Sequence, residues 1–164
     1  MSTKNLSYFD KTDIPDAKHM RIGIVVSEWN AEITDNLLKG CLETLSECGA
    51  TLDNLQIVHV PGSFELPSAA QFLMEHTRVE GVICLGCVIR GETPHFDFVC
   101  QTCANGVNNV AIKYVKPVIF GVLTDNTIEQ SRARSGGSLG NKGVEAAITA
   151  IKMIALQKQL RDNW

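Results

Sequence analysis

Apolar positions along this chain follow two periods, and the period switches at regular intervals. Arg21 to Ser27 is an apolar, β-branched run that reads as a strand. Ala31 to Cys48 then carries apolar residues at helical spacing, with Asn30 as cap and Gly49 as stop. The unit recurs: Leu55 to Val60 predicts a strand and Leu66 to Thr77 a helix, Gly81 to Ile89 a strand and Pro94 to Tyr114 a helix, and Val118 to Leu123 a further strand. A short helix near Thr127 to Arg134 follows, then a Gly-rich turn. A long helix from Lys142 to Gln159 closes the pattern, with Val144, Ala147, Ile148, Ile151 and Ile154 inward. Strands apolar on both faces, alternating with amphipathic helices, predict an α/β fold whose parallel sheet is covered on both sides. Residues Met1 to Lys18 lack periodicity and read as an arm, with an extended piece near Leu6 to Phe9 suited to pair with a sheet edge. The expected division is an arm over 1–20 and one domain over 21–164, with no linker inside it.

Composition agrees with a single domain. The 164 residues are 45% hydrophobic and carry a formal charge of −3, enough for an ordinary core. With no run of Lys or Arg and no recognition-helix signature, nucleic acid is not an expected partner. The longest apolar run, Gly81 to Ile89, is too short to span a bilayer, and no apolar signal-peptide segment follows Met1. A cytoplasmic location without membrane contact is the expectation.

Six cysteines include Cys84-x-x-Cys87 and Cys100-x-x-Cys103, which imitate the spacing of a four-cysteine zinc site. The first pair lies in a strand, where side chains three apart point to opposite faces. The second pair joins Phe96, Val107 and Val110 on one helix face, where a free thiol behaves as a small hydrophobe. Cys41 and Cys48 fall on an apolar stripe with Ile33, Leu37 and Leu45. Neither metal nor disulfides are needed.

In a parallel sheet of this kind, ligands bind beyond the carboxyl ends of the strands. Each strand here ends in polar or aromatic chemistry: Glu28-Trp29-Asn30, then Pro61-Gly62-Ser63-Phe64-Glu65, then Gly86 to Phe96, then Thr124-Asp125-Asn126. Trp29 and Phe64 offer flat faces for a planar ring, and Glu65 and Asn30 can grip hydroxyls or ring N–H groups. In the third loop, Pro94 suits a first helical position, which makes Thr93 the cap and puts His95 in the first turn. Free N–H groups, the helix dipole and Arg90 favour an anion such as phosphate there. The same dipole disfavours protonating His95, leaving an imidazole able to relay a proton. Taken alone, each of these residues has a plain structural reading as cap, lid or solvated charge; their meeting at one edge favours a site. The turn Gly136 to Gly143 resembles a P-loop only superficially, since it follows a helix and lacks Gly-Lys-Ser/Thr. It does collect Arg132, Arg134 and Lys142, and Lys142 at a helix N-terminus is unfavourable unless an anion is near.

Together these segments resemble the lumazine synthase family, which makes 6,7-dimethyl-8-ribityllumazine in riboflavin biosynthesis. The resemblance runs from Arg21 to Ala155. It rests on Trp29-Asn30, Val60 to Pro67, Gly86 to Phe96, Pro117 to Thr124, Thr127 to Gln130, Arg134 and Gly140-Asn141-Lys142-Gly143. It implies a flavodoxin-like three-layer αβα sandwich with a four-stranded parallel sheet. It also implies a cofactor-independent condensation of 5-amino-6-ribitylaminouracil with 3,4-dihydroxy-2-butanone 4-phosphate. By resemblance, Trp29 stacks on the pyrimidine, with Asn30 beside it, and Ser63, Phe64 and Glu65 hold the ring and ribityl chain. Cys87, Val88 and Ile89 line the ring pocket, and Phe120 packs over the ring from a neighbouring subunit. Glu92 and Thr93 meet the butanone phosphate, Arg134 clamps its phosphate with Lys142 close by, and His95 transfers protons.

The family assembles as pentamers that stay single, pair into decamers, or close twelve at a time into a hollow icosahedral shell. The absence of an insertion between the last two helices favours the shell here, with riboflavin synthase as an expected guest. Departures are Trp29, where the family has Phe or Trp, and Arg132-Ala133 before Arg134, where Ile-Glu is common. Ser138 replaces a frequent lysine; these departures, Arg132 with its added charge above all, bear on phosphate affinity and interface charge. Two rival readings are a flavodoxin-like module that binds a flavin phosphate, poorly served by Glu28-Trp29-Asn30 after the first strand, and a purely structural shell protein.

Overall fold

A computed structural model describes residues 5 and 7–163. The periodic segments form β1 (Ile22–Ser27), α1 (Ala31–Glu47), β2 (Leu55–Val60), α2 (Leu66–His76), β3 (Gly81–Ile89), α3 (His95–Tyr114), β4 (Val118–Asp125) and α4 (Ile128–Arg134). A small hairpin, β5 (Ser135–Gly137) and β6 (Gly140–Asn141), then leads into α5 (Lys142–Asp162). Parallel pairing gives one sheet in the order β2-β1-β3-β4. The expected three-layer α/β architecture is what the chain adopts.

Two cores explain why the central strands β1 and β3 are apolar on both faces. On one face, Ile22, Ile24 and Val26 of β1 and Ile83, Leu85 and Cys87 of β3 pack with Ile33, Leu37 and Leu45 of α1 and Ala147, Ile151 and Ile154 of α5. On the other, Val25, Val82, Cys84 and Val122 meet Leu66, Ala70 and Leu73 of α2 and Cys103, Val107 and Val110 of α3. Cys84 and Cys87 thus point to opposite faces, as their strand spacing requires, and all six cysteines are free. Burial pushes the Cys41 thiol up to about 12.

Several sequence expectations need correction. The buried stripe of α5 is Gly143, Ala146, Ala147, Ala150, Ile151 and Ile154, while Val144 and Ile148 are only half-buried. Small residues fit there because α1 approaches closely, the Leu37 backbone lying where a Cβ of Gly143 would stand. The arm pairs with no sheet edge among its described residues, Leu6 lying outside them. Instead Ser7 Oγ accepts from the Asn141 N–H at 2.6 Å, and Lys11–Asp13 form a single 3-10 turn. Ala17 and Met20, further along, are buried in the first core. Among the described residues no helix is long and apolar enough to cross a membrane.

Candidate active site

The carboxyl end of the sheet is built by bonds between successive strand exits. The N–H groups of Glu28 and Trp29 donate to the carbonyls of Val60 and Pro61 at 2.8 and 3.0 Å, prolonging the β1–β2 ladder past the sheet. This lays the Trp29 indole against Gly62, where a Cβ would stand 2.5 Å from the ring carbon Cε3. Only glycine permits that approach. The indole is 66% exposed and Phe64 50% exposed, so two aromatic faces stand open at neighbouring strand ends, an unfavourable display unless something covers them. Glu65 turns back to accept from the Gly62 N–H at 3.0 Å through Oε2, which fixes the carboxylate and leaves its second oxygen for other work. Ser63 is buried, and its hydroxyl, like that of Ser27, has no partner among the described residues.

Asn30 has the position of an α1 cap but does not cap through its side chain. It takes a left-handed conformation at φ 61°, which asparagine tolerates better than most residues, and its Nδ2 donates to the Cys87 carbonyl at 3.0 Å. The exits of β1 and β3 are thereby joined, with Val88 and Ile89 continuing from the same backbone. Trp29, Asn30, Ser63, Phe64, Glu65, Cys87, Val88 and Ile89 therefore share one rim.

The loop after β3 departs from expectation. Pro94, not Thr93, holds the cap position, α3 begins at His95, and no side chain caps it. Glu92, Thr93 and His95 are exposed. His95 makes no side-chain hydrogen bond to any described residue, which leaves its ring nitrogens free. Arg90 is not aimed at an anion: it pairs with Asp97 at 2.8 Å, donates from Nε to Asn126 Oδ1 at 3.1 Å, and lies 4.1 Å over the Phe96 ring. Its hydrogen bond holds the Asp97 carboxyl below the usual carboxylate range. Anion affinity moves elsewhere.

That elsewhere is the junction of α4 and α5. Arg134 Nη2 stands 3.1 Å from Glu145 Oε1, and Lys142 Nζ stands 3.1 Å from Glu145 Oε2, all three side chains largely buried. Two cations share one carboxylate, and Arg134 Nη1 is buried with no partner among the described residues. An orphaned guanidinium nitrogen beside surplus positive charge has the chemistry to take an anion. Arg132 takes no part, being paired with Glu32 through Nε at 2.7 Å. Phe120 is not at this rim within one chain. It lies on the edge strand β4 opposite Cys84, across the sheet from the β2 exit.

Aromatic faces, an exposed histidine and a cationic cluster are residue types that the sequence resemblance calls for, and comparison with known proteins decides the family. Residues 19–158 match the family described as 6,7-dimethyl-8-ribityllumazine synthase. The chain belongs to that family. A 6,7-dimethyl-8-ribityllumazine synthase of Porphyromonas gingivalis is 49% identical over 94% of this chain and 96% of its own length. Those of Flavobacterium psychrophilum, 51% identical over 96% of this chain and 84% of theirs, and Cytophaga hutchinsonii, 51% over 93% and 95%, are similar. The enzyme reading of the sequence, a transferase of riboflavin biosynthesis, is borne out. The role of a purely structural shell protein is not favoured, because the relatives carry the name of an enzyme.

For a lumazine synthase, sequence reasoning overlooked Glu145, the carboxylate that organises Arg134 and Lys142. A signal was present, since Glu145 stands three residues after Lys142 on one helix and such pairs interact. Asp125 is expected at the fourth strand exit, but neither its burial nor that of Ser131 inside α4 is marked by anything local in the sequence.

Proposed function

We propose that this chain condenses 5-amino-6-ribitylaminouracil with 3,4-dihydroxy-2-butanone 4-phosphate, giving 6,7-dimethyl-8-ribityllumazine, phosphate and water, with no metal or organic cofactor. The match of residues 19–158 to the family, with an aromatic rim and an anion position in the same chain, carries this reading. Trp29 stacks on the pyrimidine, Asn30, Ser63, Phe64 and Glu65 hold its ring and ribityl hydroxyls, and the backbone of Cys87, Val88 and Ile89 walls the pocket. Glu92 and Thr93 meet the second substrate, and Arg134 with Lys142 takes its phosphate. The pyrimidine amine adds to the ketone to give a carbinolamine, which loses water to an imine. Phosphate is eliminated, and ring closure with loss of a second water completes the product. His95 moves protons in these steps, while most of the acceleration comes from holding two substrates in reacting geometry.

Mixing the two substrates with the protein and following lumazine absorbance, fluorescence and released phosphate tests the reading. A rate equal to the uncatalysed one would remove it and favour a flavin-binding module. His95→Ala is expected to keep measurable turnover, its kcat falling by no more than about 10²-fold, with little change in the KM for the phosphate substrate. A His95→Ala effect confined to that KM would overturn the proton-transfer role.

The assembly belongs to the same proposal. Phe120 completes the ring pocket of an adjacent subunit, which makes a pentamer the smallest complete unit, and twelve pentamers close into a shell that encloses riboflavin synthase. The location is cytoplasmic. Light scattering at neutral pH is expected to give a uniform shell-sized particle; a uniform pentamer would overturn the shell, and an active monomer would overturn the shared site.

A further inference from the structure

Behind the rim runs a buried chain of three polar groups that the substrate contacts do not use. Cys87 Sγ donates to Ser131 Oγ at 3.4 Å, and Ser131 Oγ in turn donates to Asp125 Oδ2 at 2.8 Å. All three residues are buried, Ser131 completely. The hydroxyl has a single proton; given to the carboxylate, it leaves a lone pair for the thiol. Burial and the nearby Asp125 charge push the Cys87 thiol up, although its Ser131 contact opposes them, so the thiol stays protonated and able to donate. Thiol, hydroxyl and carboxylate form a one-way series ending on a charge, the strong kind of hydrogen bond.

The position of α4 depends on that series. A helix of seven residues does not hold its own place by helix propensity, and Ser131 is the only buried residue in it. Arg134 follows one turn later on the same helix, so whatever seats Ser131 also seats the guanidinium. At the other end, the Cys87 carbonyl receives Asn30, and the Asp125 carbonyl receives the Arg90 N–H at 2.9 Å. The geometry points to Ser131 and Asp125 as positioning residues that lock the phosphate arm to the pyrimidine wall through a buried hydrogen-bonded bridge. This rests on the proposed placement of phosphate at Arg134. Ser131 and Asp125 touch neither substrate; through the Cys87 side chain they set the distance between the halves of the pocket that hold them.

The test is steady-state kinetics on the assembled enzyme, with inorganic phosphate as a competitor. Ser131→Ala is expected to raise the KM for the phosphate substrate and the Ki for inorganic phosphate by about tenfold, with kcat and the pyrimidine KM within about twofold. Ser131→Cys keeps a weaker donor of similar size, and is expected to fall between parent and alanine variant; it serves if Ser131→Ala does not fold. Asp125→Asn keeps an acceptor for the hydroxyl and is expected to stay within about threefold of the parent. In the Ser131 variants, a uniform change in both KM values and kcat would mean that the bridge only supports the fold and would overturn the inference, as would unchanged constants. Arg134→Ala run in parallel separates the two levels. If it raises the phosphate KM while the Ser131 variants do not, the bridge alone is refuted; if Arg134→Ala changes nothing, the phosphate placement fails and the bridge with it.

Discussion

Replacing Arg134 with alanine is expected to raise the KM for the butanone phosphate substrate by about tenfold to a hundredfold, the worth of a charge-assisted hydrogen bond lost from a shielded site. Without this residue the cluster holds one cation and one carboxylate, Lys142 and Glu145 at 3.1 Å, and its surplus positive charge disappears. The guanidinium also supplies the buried Nη1 that has no partner among the described residues. A planar fork matches phosphate oxygens in a way that an ammonium does not, so Lys142 is a poor substitute. Stability should suffer less than affinity, because Glu145 keeps Lys142 as counter-charge and no lone buried carboxylate is created. The expected signature is therefore a KM effect with kcat changed much less, read from initial rates with each substrate varied in turn. An unchanged KM for the phosphate substrate would refute the assignment, and a matching rise in the pyrimidine KM would show that the variant disturbs the whole rim.

What the sequence made legible follows from how local each determinant is. The bounds of β2 and β3 coincide with the expected ones, because an apolar run between turn residues is a local pattern. The start of α3 is displaced by one residue because Pro94 satisfies the cap position as readily as the first helical position, neither of which needs its missing N–H. The sequence leaves Arg90 open to an anion because nothing in the order of residues shows that α3 turns Asp97 back onto it. The rim residues were legible as a set, since the ends of parallel strands must meet at one edge. The partners of those residues were not. Cys87 and Ser131 are separated by 44 positions, and only the docking of α4 under the sheet brings thiol and hydroxyl together. The inward face of α5 differs from its apolar pattern for a related reason: hydrophobicity favours Val144 and Ile148, but the spacing between α1 and α5 admits glycine and alanine.

That spacing makes Gly143→Ala the substitution with the largest expected effect on the fold. A Cβ on Gly143 would overlap the Leu37 carbonyl oxygen and stand 2.7 Å from the Leu37 carbonyl carbon. These are atoms of a helical backbone and cannot swing aside like the end of a side chain, so α5 must lift away from α1. The junction is tied down from both sides. Asn141 Oδ1 accepts from the Gly143 N–H at 2.8 Å, and its Nδ2 donates to the Asn36 carbonyl at 2.9 Å. Moving α5 outward loosens the layer in which Leu37, Ala147 and Ile151 pack, and shifts Lys142 and Glu145 with it. Overpacking of this kind costs about 1–3 kcal/mol, and backbone overlap belongs at the upper end. Alanine's better helix propensity returns less than about 1 kcal/mol, so a net loss of about 2 kcal/mol is expected. Urea unfolding at fixed protein concentration should show it as a lower midpoint with an unaltered slope. Gly91→Ala is the control, since a Cβ there meets nothing within 4 Å, and its midpoint should not move. A Gly143→Ala midpoint equal to that of Gly91→Ala would mean that α1 and α5 are not held this close, and that the seat of Lys142 and Glu145 is set by something other than helix contact.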